Sequence, residues 1–206
     1  DGVEDSFEKS MTYLEAVSGG RNDTHGSTYE RRRTYVEQGT RMVDFLVDQG
    51  IKLNRIAYWP DYYDEMPGGS QQGRTVVAEL FNVNELGPWK EKLQPNFMTM
   101  MAPLDEMLKL QYIKKSWEAK KLAVKMVLRT IGAKLTGKHF ITAGGALQGR
   151  MLQAAVKAGV EFRTEAPVQE LIVDGGAAPG VVMLADNKPV RIGARLGVLV
   201  NAGGFS

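Results

Sequence analysis

No cysteine occurs among the 206 residues, and histidine occurs only twice, as His25 and His139. Without thiols the chain can form neither a disulfide nor a thiolate metal site, and a reducing compartment is permitted. The two histidines lack the close spacing of a His-based metal centre. Charge of one sign is also lacking: 26 Lys and Arg against 24 Asp and Glu leave a net +2, which gives no general attraction to nucleic acid. Apolar runs are short, and none approaches the ~20 residues needed to cross a bilayer. Neither a nucleophile elbow nor GxGxxG stands in the sequence. What remains is the composition of a globular chain, 43% hydrophobic and 24% charged, with enough apolar residues for a core. It opens on Asp1 and closes on "NAGGFS", and neither end resembles a natural terminus. The expectation is a segment cut from a longer chain.

The first third reads as helical. Ser6 is placed to cap a helix in which Phe7, Met11, Leu14 and Val17 share one face, with Gly19 and Gly20 as the stop. A second helix starts near Ser27, which has capping-box spacing to Glu30, and runs to Gly50 with Gly39 as a candidate break point. Arg31, Arg32 and Arg33 fall in its first turns and are read as a solvated face. Residues 75–103 carry Pro88, Pro95 and Pro103 without periodicity and read as a long irregular connection. Helices are then expected over Leu104–Leu110 and Trp117–Ile131. In the latter Trp117, Val124, Leu128 and Ile131 share a face, bordered by Lys114, Lys115, Lys120, Lys121, Lys125 and Arg129. A face packed on the core is the expectation, and a basic amphipathic helix on an anionic membrane the alternative.

The last third changes character. "GGALQGRMLQAAVKAGV" reads as a helix entered through glycines, with Leu147, Met151, Leu152, Ala155 and Val156 inward and Gly159 ending it. "GGALQG", Gly144 to Gly149, suits either a phosphate on helix N-terminal N–H groups or close packing. "VEFRTE" reads as a short strand. "VQELIVDGG", "GVVMLADNK" and "PVRIGAR" alternate apolar and polar residues between turn signals, the pattern of a three-stranded antiparallel meander. Leu196, Val198, Leu199 and Val200 then form an apolar run typical of a strand buried on both faces of a parallel sheet. Its parallel neighbours are expected outside residues 1–206.

One stretch stands apart. "AYWPDYYDEMPGGSQQGR", residues 57–74, sets Tyr58, Trp59, Tyr62 and Tyr63 before a Pro67-Gly68-Gly69 turn. The rings either pack against that turn or face a ligand. Asp61, Asp64 and Glu65 read as solvated turn acids rather than acid–base groups.

Three blocks, "WPDYYDEMPGGSQQGRT" (59–75), "GGALQGRMLQAAVKAGVEFRTEAPVQELIVDGG" (144–176) and "RLGVLVNAGGFS" (195–206), resemble the FAD-dependent 3-ketosteroid dehydrogenases of the fumarate reductase and succinate dehydrogenase flavoprotein superfamily. The first block is similar to the steroid branch; the other two are shared across the superfamily. The resemblance implies an α/β fold, α+β as a fragment. It would be the internal part of a Rossmann-like FAD/NAD(P)-binding domain with a helical insertion, an antiparallel meander and a return parallel strand. Residues 1–140 would be a mainly helical substrate-side region, and 141–206 the helix, meander and return strand. A GxGxxG unit would precede Asp1 and a catalytic cap would follow Ser206.

By the same resemblance FAD is the cofactor, met by the Val168 backbone and by Ala202, Gly203 and Gly204, where missing side chains let backbone approach. Asn201 departs from the small residue common at that position. Tyr62 would be catalytic and substrate-binding, and Trp59 would line the same pocket. The implied reaction is 1,2-desaturation of a 3-ketosteroid A ring, with hydride passing to the flavin N5 and on to an external acceptor. Tyr62 would assist a base, itself a tyrosine, that lies with the carbonyl-polarising groups beyond Ser206. The expected location is cytoplasmic, with peripheral attachment to a membrane as the alternative. Steroid 4-dehydrogenation, fumarate-type reduction, and a non-catalytic segment that binds no flavin alone are the competing readings.

Overall fold

The structure, a computed structural model, describes residues 4–20, 23–24, 26–57, 59–94 and 102–203. The chain divides into two compact units, Asp1–Val160 and Glu161–Ser206, and mixes helices with short antiparallel sheets. His25, Tyr58, Pro95 and Gly204, all named above, lie outside the described residues.

In the first unit, α1 (Phe7–Val17) begins where the Ser6 hydroxyl accepts from the Lys9 N–H at 3.1 Å. It buries Met11 and ends at Gly19 and Gly20, both with positive φ. Helix α2 (Tyr29–Asp48) starts one residue later than the expected cap. Thr28 accepts from the Arg31 N–H at 3.3 Å, and the helix passes unbroken through Gly39. A single interior glycine costs only about 1 kcal/mol, too little to interrupt a helix of 20 residues. Arg31 and Arg33 are solvated, but Arg32 is buried. Its guanidinium donates to the Ser27 carbonyl and pairs with Asp23 at 3.4 Å, tying the preceding loop to the helix.

Residues 75–94, expected within an irregular connection, are instead ordered as short strands and 3₁₀ turns. Strand β1 (Leu53–Arg55) pairs antiparallel with β2 (Val76–Ala78), and β3 (Phe81–Asn82) pairs with β4 (Phe140–Ile141). Turns of 3₁₀ helix follow over Val83–Lys92, with a kink at Gly87. Strands of two or three residues carry no readable alternation, because they exist only through partners distant in sequence.

These strands position the core. Ala78, Phe81, Leu86 and Ala146 form its buried centre. Helix α5 (Ala143–Lys157) turns toward it the face of Ala146, Gly149 and Arg150. A Cβ on Gly149 would stand 2.6 Å from the Phe81 ring, so glycine is what lets ring and helix touch. Arg150 lies 5.4 Å from the same ring and donates to the Glu79 and Leu80 carbonyls at 3.3 and 2.8 Å. Burial lowers its pKa. The expected inward set is thereby corrected: Leu147 and Leu152 do pack on the core, while Met151 and Val156 are exposed. An arginine that satisfies loop carbonyls takes the central place.

Helices α3 (Leu104–Leu110) and α4 (Trp117–Leu135) pack together. Glu106 joins them, accepting from Arg129 at 2.7 Å and from Lys125 at 2.9 Å. Burial pushes its carboxyl up, but the hydrogen bonds from Arg129 and Lys125 outweigh this and hold it below the ordinary 4.5. A carboxylate whose folded pKa is depressed stabilises the protein above its unfolded pKa and loses that contribution as pH falls through the folded value. Urea midpoints of the parent should therefore exceed those of Glu106→Gln at pH 7, and the two should converge as pH is lowered below 4.5. A gap unchanged between those pH values would show that the charge is immaterial. The apolar stripe of α4 expected in the core is instead exposed: Trp117, Val124, Leu128 and Ile131 face outward, while Ala119 and Ala133 are buried.

The second unit is built on the meander. Strands β5 (Val168–Asp174), β6 (Ala177–Ala185) and β7 (Lys188–Gly193) form one antiparallel sheet in that order. Its turns are Gly175-Gly176 and Asp186-Asn187, all four with positive φ, as tight hairpins of this handedness require. Residues 160–165 form no strand, and neither does the run Leu196–Val200. Leu196 is fully exposed and Leu199 nearly so. The expected doubly buried strand is corrected accordingly. Among the described residues no strand lies beside this run, and a buried parallel strand exists only between neighbours.

Candidate functional site

The aromatic loop, residues 57–74, is closed at its neck where the Ile56 N–H donates to the Thr75 carbonyl at 3.0 Å. Inside it Asp61 N–H donates to Ser70 O at 3.0 Å, Met66 N–H to Tyr63 O at 3.0 Å and Gly69 N–H to Met66 O at 2.8 Å. Most of its turns are thus held by local backbone bonds, as in compact Ω-type loops.

Glycine is demanded here by close approach. Gly68 has φ +77°, and a Cβ on it would collide with the backbone of Lys9 and Tyr13 in α1. Gly73 has φ +64°, and a Cβ there would run into the Trp59 carbonyl. Gly68 is therefore the point at which the loop seats against α1, while Gly69 closes on the Asp64 main chain within the loop.

Arg74 clamps the assembly. Its Nε and Nη2 donate to the two Asp5 carboxylate oxygens at 2.7 and 3.0 Å, Nη1 to Asp61 at 2.6 Å and Nη2 to the Gly68 carbonyl at 3.0 Å. The guanidinium also lies 5.5 Å from the Tyr13 ring. Asp61 completes the set by accepting from the Ser70 N–H at 3.0 Å. The hydrogen bond from Arg74 outweighs partial burial and holds the Asp5 carboxyl below its ordinary 3.8. Asp61, expected among the solvated turn acids, is instead largely buried, its side chain 9% exposed. The ion pair with Arg74 and the hydrogen bond from the Ser70 N–H offset the loss of water.

The clamp leaves Tyr62 outside. Its side chain is 90% exposed, whereas Trp59 is half-buried. At 90% exposure the Tyr62 ring is not packed against the Pro-Gly-Gly turn, while Tyr63 is 56% exposed and its N–H donates to the Tyr13 hydroxyl at 3.3 Å. An apolar ring in water on a tied-down loop is a surface available to a ligand. Asp5, Tyr13 and Arg74 went unnoticed in the sequence. The pair Asp5–Arg74 bridges 69 positions and leaves no local pattern, although Arg74 directly follows a glycine with constrained backbone.

In the second unit, Val168 opens the edge strand β5 and is exposed. Ala202 and Gly203 are exposed as well, and Gly203 has φ +80° with open space where a Cβ would point. An open polar recess of about 810 Å³ lies beside Val168, lined by Phe162, Arg163, Thr164, Glu165, Met183 and Asp186. In "GGALQG" the two alternatives divide by position. Gly149 is a packing glycine on Phe81, whereas nothing lies near a Cβ at Gly144.

Residues 1–206 match the family described as FAD binding domain. The chain is 29% identical to the 3-oxosteroid 1-dehydrogenase of Mycolicibacterium smegmatis, over 100% of its own length and 37% of that protein. It is 29% identical to the 3-oxosteroid 1-dehydrogenase of Comamonas testosteroni, over 99% of its length and 37% of that protein. The crystal structure of 3-ketosteroid delta1-dehydrogenase from Sterolibacterium denitrificans in complex with 1,4-androstadiene-3,17-dione shares its fold. The TM-score is 0.84 at 24% identity, over 99% of this chain and 38% of that one. The chain thus spans little more than a third of the length of these relatives.

Proposed function

Since the chain belongs to the FAD binding domain family, we propose that it is the internal, substrate-side and meander segment of a flavin-dependent oxidoreductase that desaturates the A ring of a 3-ketosteroid between C1 and C2. The observation that carries this reading is Tyr62, a phenol displayed to solvent on a loop whose backbone is otherwise tied to α1 and to itself. A flat apolar ring system is buried well by aromatic faces, and Trp59 and Tyr62 provide two on one loop.

The residues present fit a flavin held by main chain. β5 has no strand on its outer side among the described residues, so its outward N–H and C=O groups at Val168 are available. The left-handed, unobstructed backbone at Gly203 suits close approach, with Ala202 beside it. Gly204 would extend that contact. Such an array would hold the dinucleotide by shape and backbone rather than by charged side chains. When bound, the flavin supplies the acceptor for the hydride leaving C1.

Tyr62 acts on the proton side of the reaction. A free phenol has a pKa near ~10 and is a poor base at neutral pH. A second phenol donating its O–H to it favours the phenolate and lowers that value. Tyr62 is the donor of this pair; the paired tyrosine takes the C2 proton, made acidic by the neighbouring C3 carbonyl.

Tyr62→Phe keeps the ring and removes the O–H. In the full-length protein it should lower kcat for 1,2-desaturation about 10- to 100-fold, at the low end of what proton-transfer assistance contributes. KM and flavin content should hardly change. An unchanged kcat would refute the assignment. Assaying 3-ketosteroids beside fumarate separates the steroid reading from the fumarate-type one, and product analysis separates 1,2- from 4,5-desaturation.

A further inference from the structure

The Tyr62 ring stands in solvent, yet the main chain on either side of it is held. Before it, the Asp61 N–H donates to the Ser70 carbonyl at 3.0 Å. The Asp61 carboxylate accepts in turn from the Ser70 N–H at 3.0 Å and from Arg74 at 2.6 Å. After it, the Tyr63 N–H donates to the Tyr13 hydroxyl at 3.3 Å, and the Tyr63 carbonyl accepts from the Met66 N–H at 3.0 Å. With both neighbours fixed the Tyr62 Cα is set, and two side-chain torsions are the freedom left to the ring. Narrowing the positions open to a reacting group is one of the larger contributions a protein makes to rate.

Most of these bonds lie within the loop or reach it from Arg74 at its end. Tyr13 differs, because it stands on α1, 50 positions upstream of its partner Tyr63. This one residue meets the loop at three points. Its main-chain N would lie 2.6 Å from a Cβ on Gly68, its ring is 5.5 Å from the Arg74 guanidinium, and its hydroxyl receives the Tyr63 N–H. The ring is half-buried, and α1 is itself held by buried Met11. A phenol suits this place, since its face meets the guanidinium while the oxygen at its far end accepts an N–H. Phenylalanine would keep the first contact and lose the second.

We infer that Tyr13 is a positioning residue for the desaturation: by holding the Tyr63 N–H, its hydroxyl fixes the main chain from which Tyr62 reaches the reacting pair. It acts through Tyr62 and rests on the reading of Tyr62 as the assisting phenol.

The test uses the full-length, flavin-loaded protein as parent, Tyr13→Phe, Tyr62→Phe and the double variant. Tyr13→Phe should lower kcat for 1,2-desaturation about 3- to 10-fold, within the loss expected for Tyr62→Phe, with KM and flavin content close to the parent's. In the Tyr62→Phe background the same substitution should change kcat by less than about twofold, because the hydroxyl being positioned is already gone. Amide hydrogen exchange over residues 61–66 should quicken about 2- to 10-fold in Tyr13→Phe, the equivalent of one hydrogen bond. Gly50→Ala strains the backbone of the same unit at a point outside the loop and should leave kcat unaltered.

An unchanged kcat in Tyr13→Phe, with Tyr62→Phe impaired, would overturn the inference and leave the reading of Tyr62 standing. Equal fold losses in the two backgrounds would overturn it too, as would an equal loss in Gly50→Ala, which would assign the effect to stability alone. Unaltered exchange over residues 61–66 would show that the Tyr13 hydroxyl holds nothing. Full kcat in Tyr62→Phe is the separate result that ends the steroid reading, and Tyr13 would then have nothing to position.

Discussion

Gly73→Ala is expected to destabilise the first unit by about 3–5 kcal/mol, the range reserved for substitutions that strain the backbone and collide at once. The left-handed φ of +64° alone would cost an L-residue about 1–2 kcal/mol. Here the new Cβ also meets the Trp59 carbonyl, which is main chain and cannot rotate aside. Relief requires opening the loop where Trp59 and Tyr62 sit. Gly50 is the matched control: its φ is +84° with nothing near a Cβ, so Gly50→Ala should cost only the conformational part. Urea unfolding followed by tryptophan fluorescence measures both. Equal midpoint shifts would mean that the contact at Trp59 yields freely.

Arg74→Met removes the clamp while keeping the apolar stem. Its guanidinium is a quarter exposed and the Asp61 side chain 9% exposed, so the pair falls between a surface ion pair and a buried one. The expected loss is about 2–3 kcal/mol at neutral pH. Part of it is the cost of leaving the Asp61 carboxylate without its cation. Adding Asp61→Asn to Arg74→Met should therefore cost less than the two single losses summed. The pH dependence has a definite sign. Asp5 has a folded pKa below its ordinary 3.8, held there first by the hydrogen bond from Arg74. Its stabilisation is present above the unfolded pKa and disappears as pH falls through the folded one. The stability gap between parent and Arg74→Met should thus narrow from pH 7 toward acid. A gap independent of pH would assign the loss to packing alone.

The sequence was legible where structure is local. The Ser6 cap, the glycine stops after α1 and α2, and both hairpin turns of the meander depend on residues within a few positions of each other, and periodicity or turn chemistry exposes them. It was illegible where a partner lies far away. β2 and β3 exist because β1 and β4 pair with them. Arg150 rather than Met151 faces the core because the Glu79 and Leu80 carbonyls await a donor. The stripe on α4 was visible as a pattern, but periodicity identifies a face without naming what it meets. The expected burial failed for that reason, and Leu196–Val200 failed in the same way. For the candidate site, the aromatic loop could be picked out by composition. Its clamp could not, since Asp5, Tyr13 and Arg74 meet only after folding. Assignment of Tyr62, Trp59, Val168, Ala202, Gly203 and Gly204 came through likeness to a family, and no pattern within the chain singles them out.

The seat of Gly68 on α1 has a consequence for how this region responds to its surroundings. Because the turn rests on the Lys9 and Tyr13 main chain, undocking α1 and loosening the aromatic loop are one event. Free-energy coupling between two places acts equally in both directions. Whatever grips the Tyr62 ring therefore also fastens a helix some fifty residues upstream, and a substitution on the hidden side of that helix is felt as a change in grip.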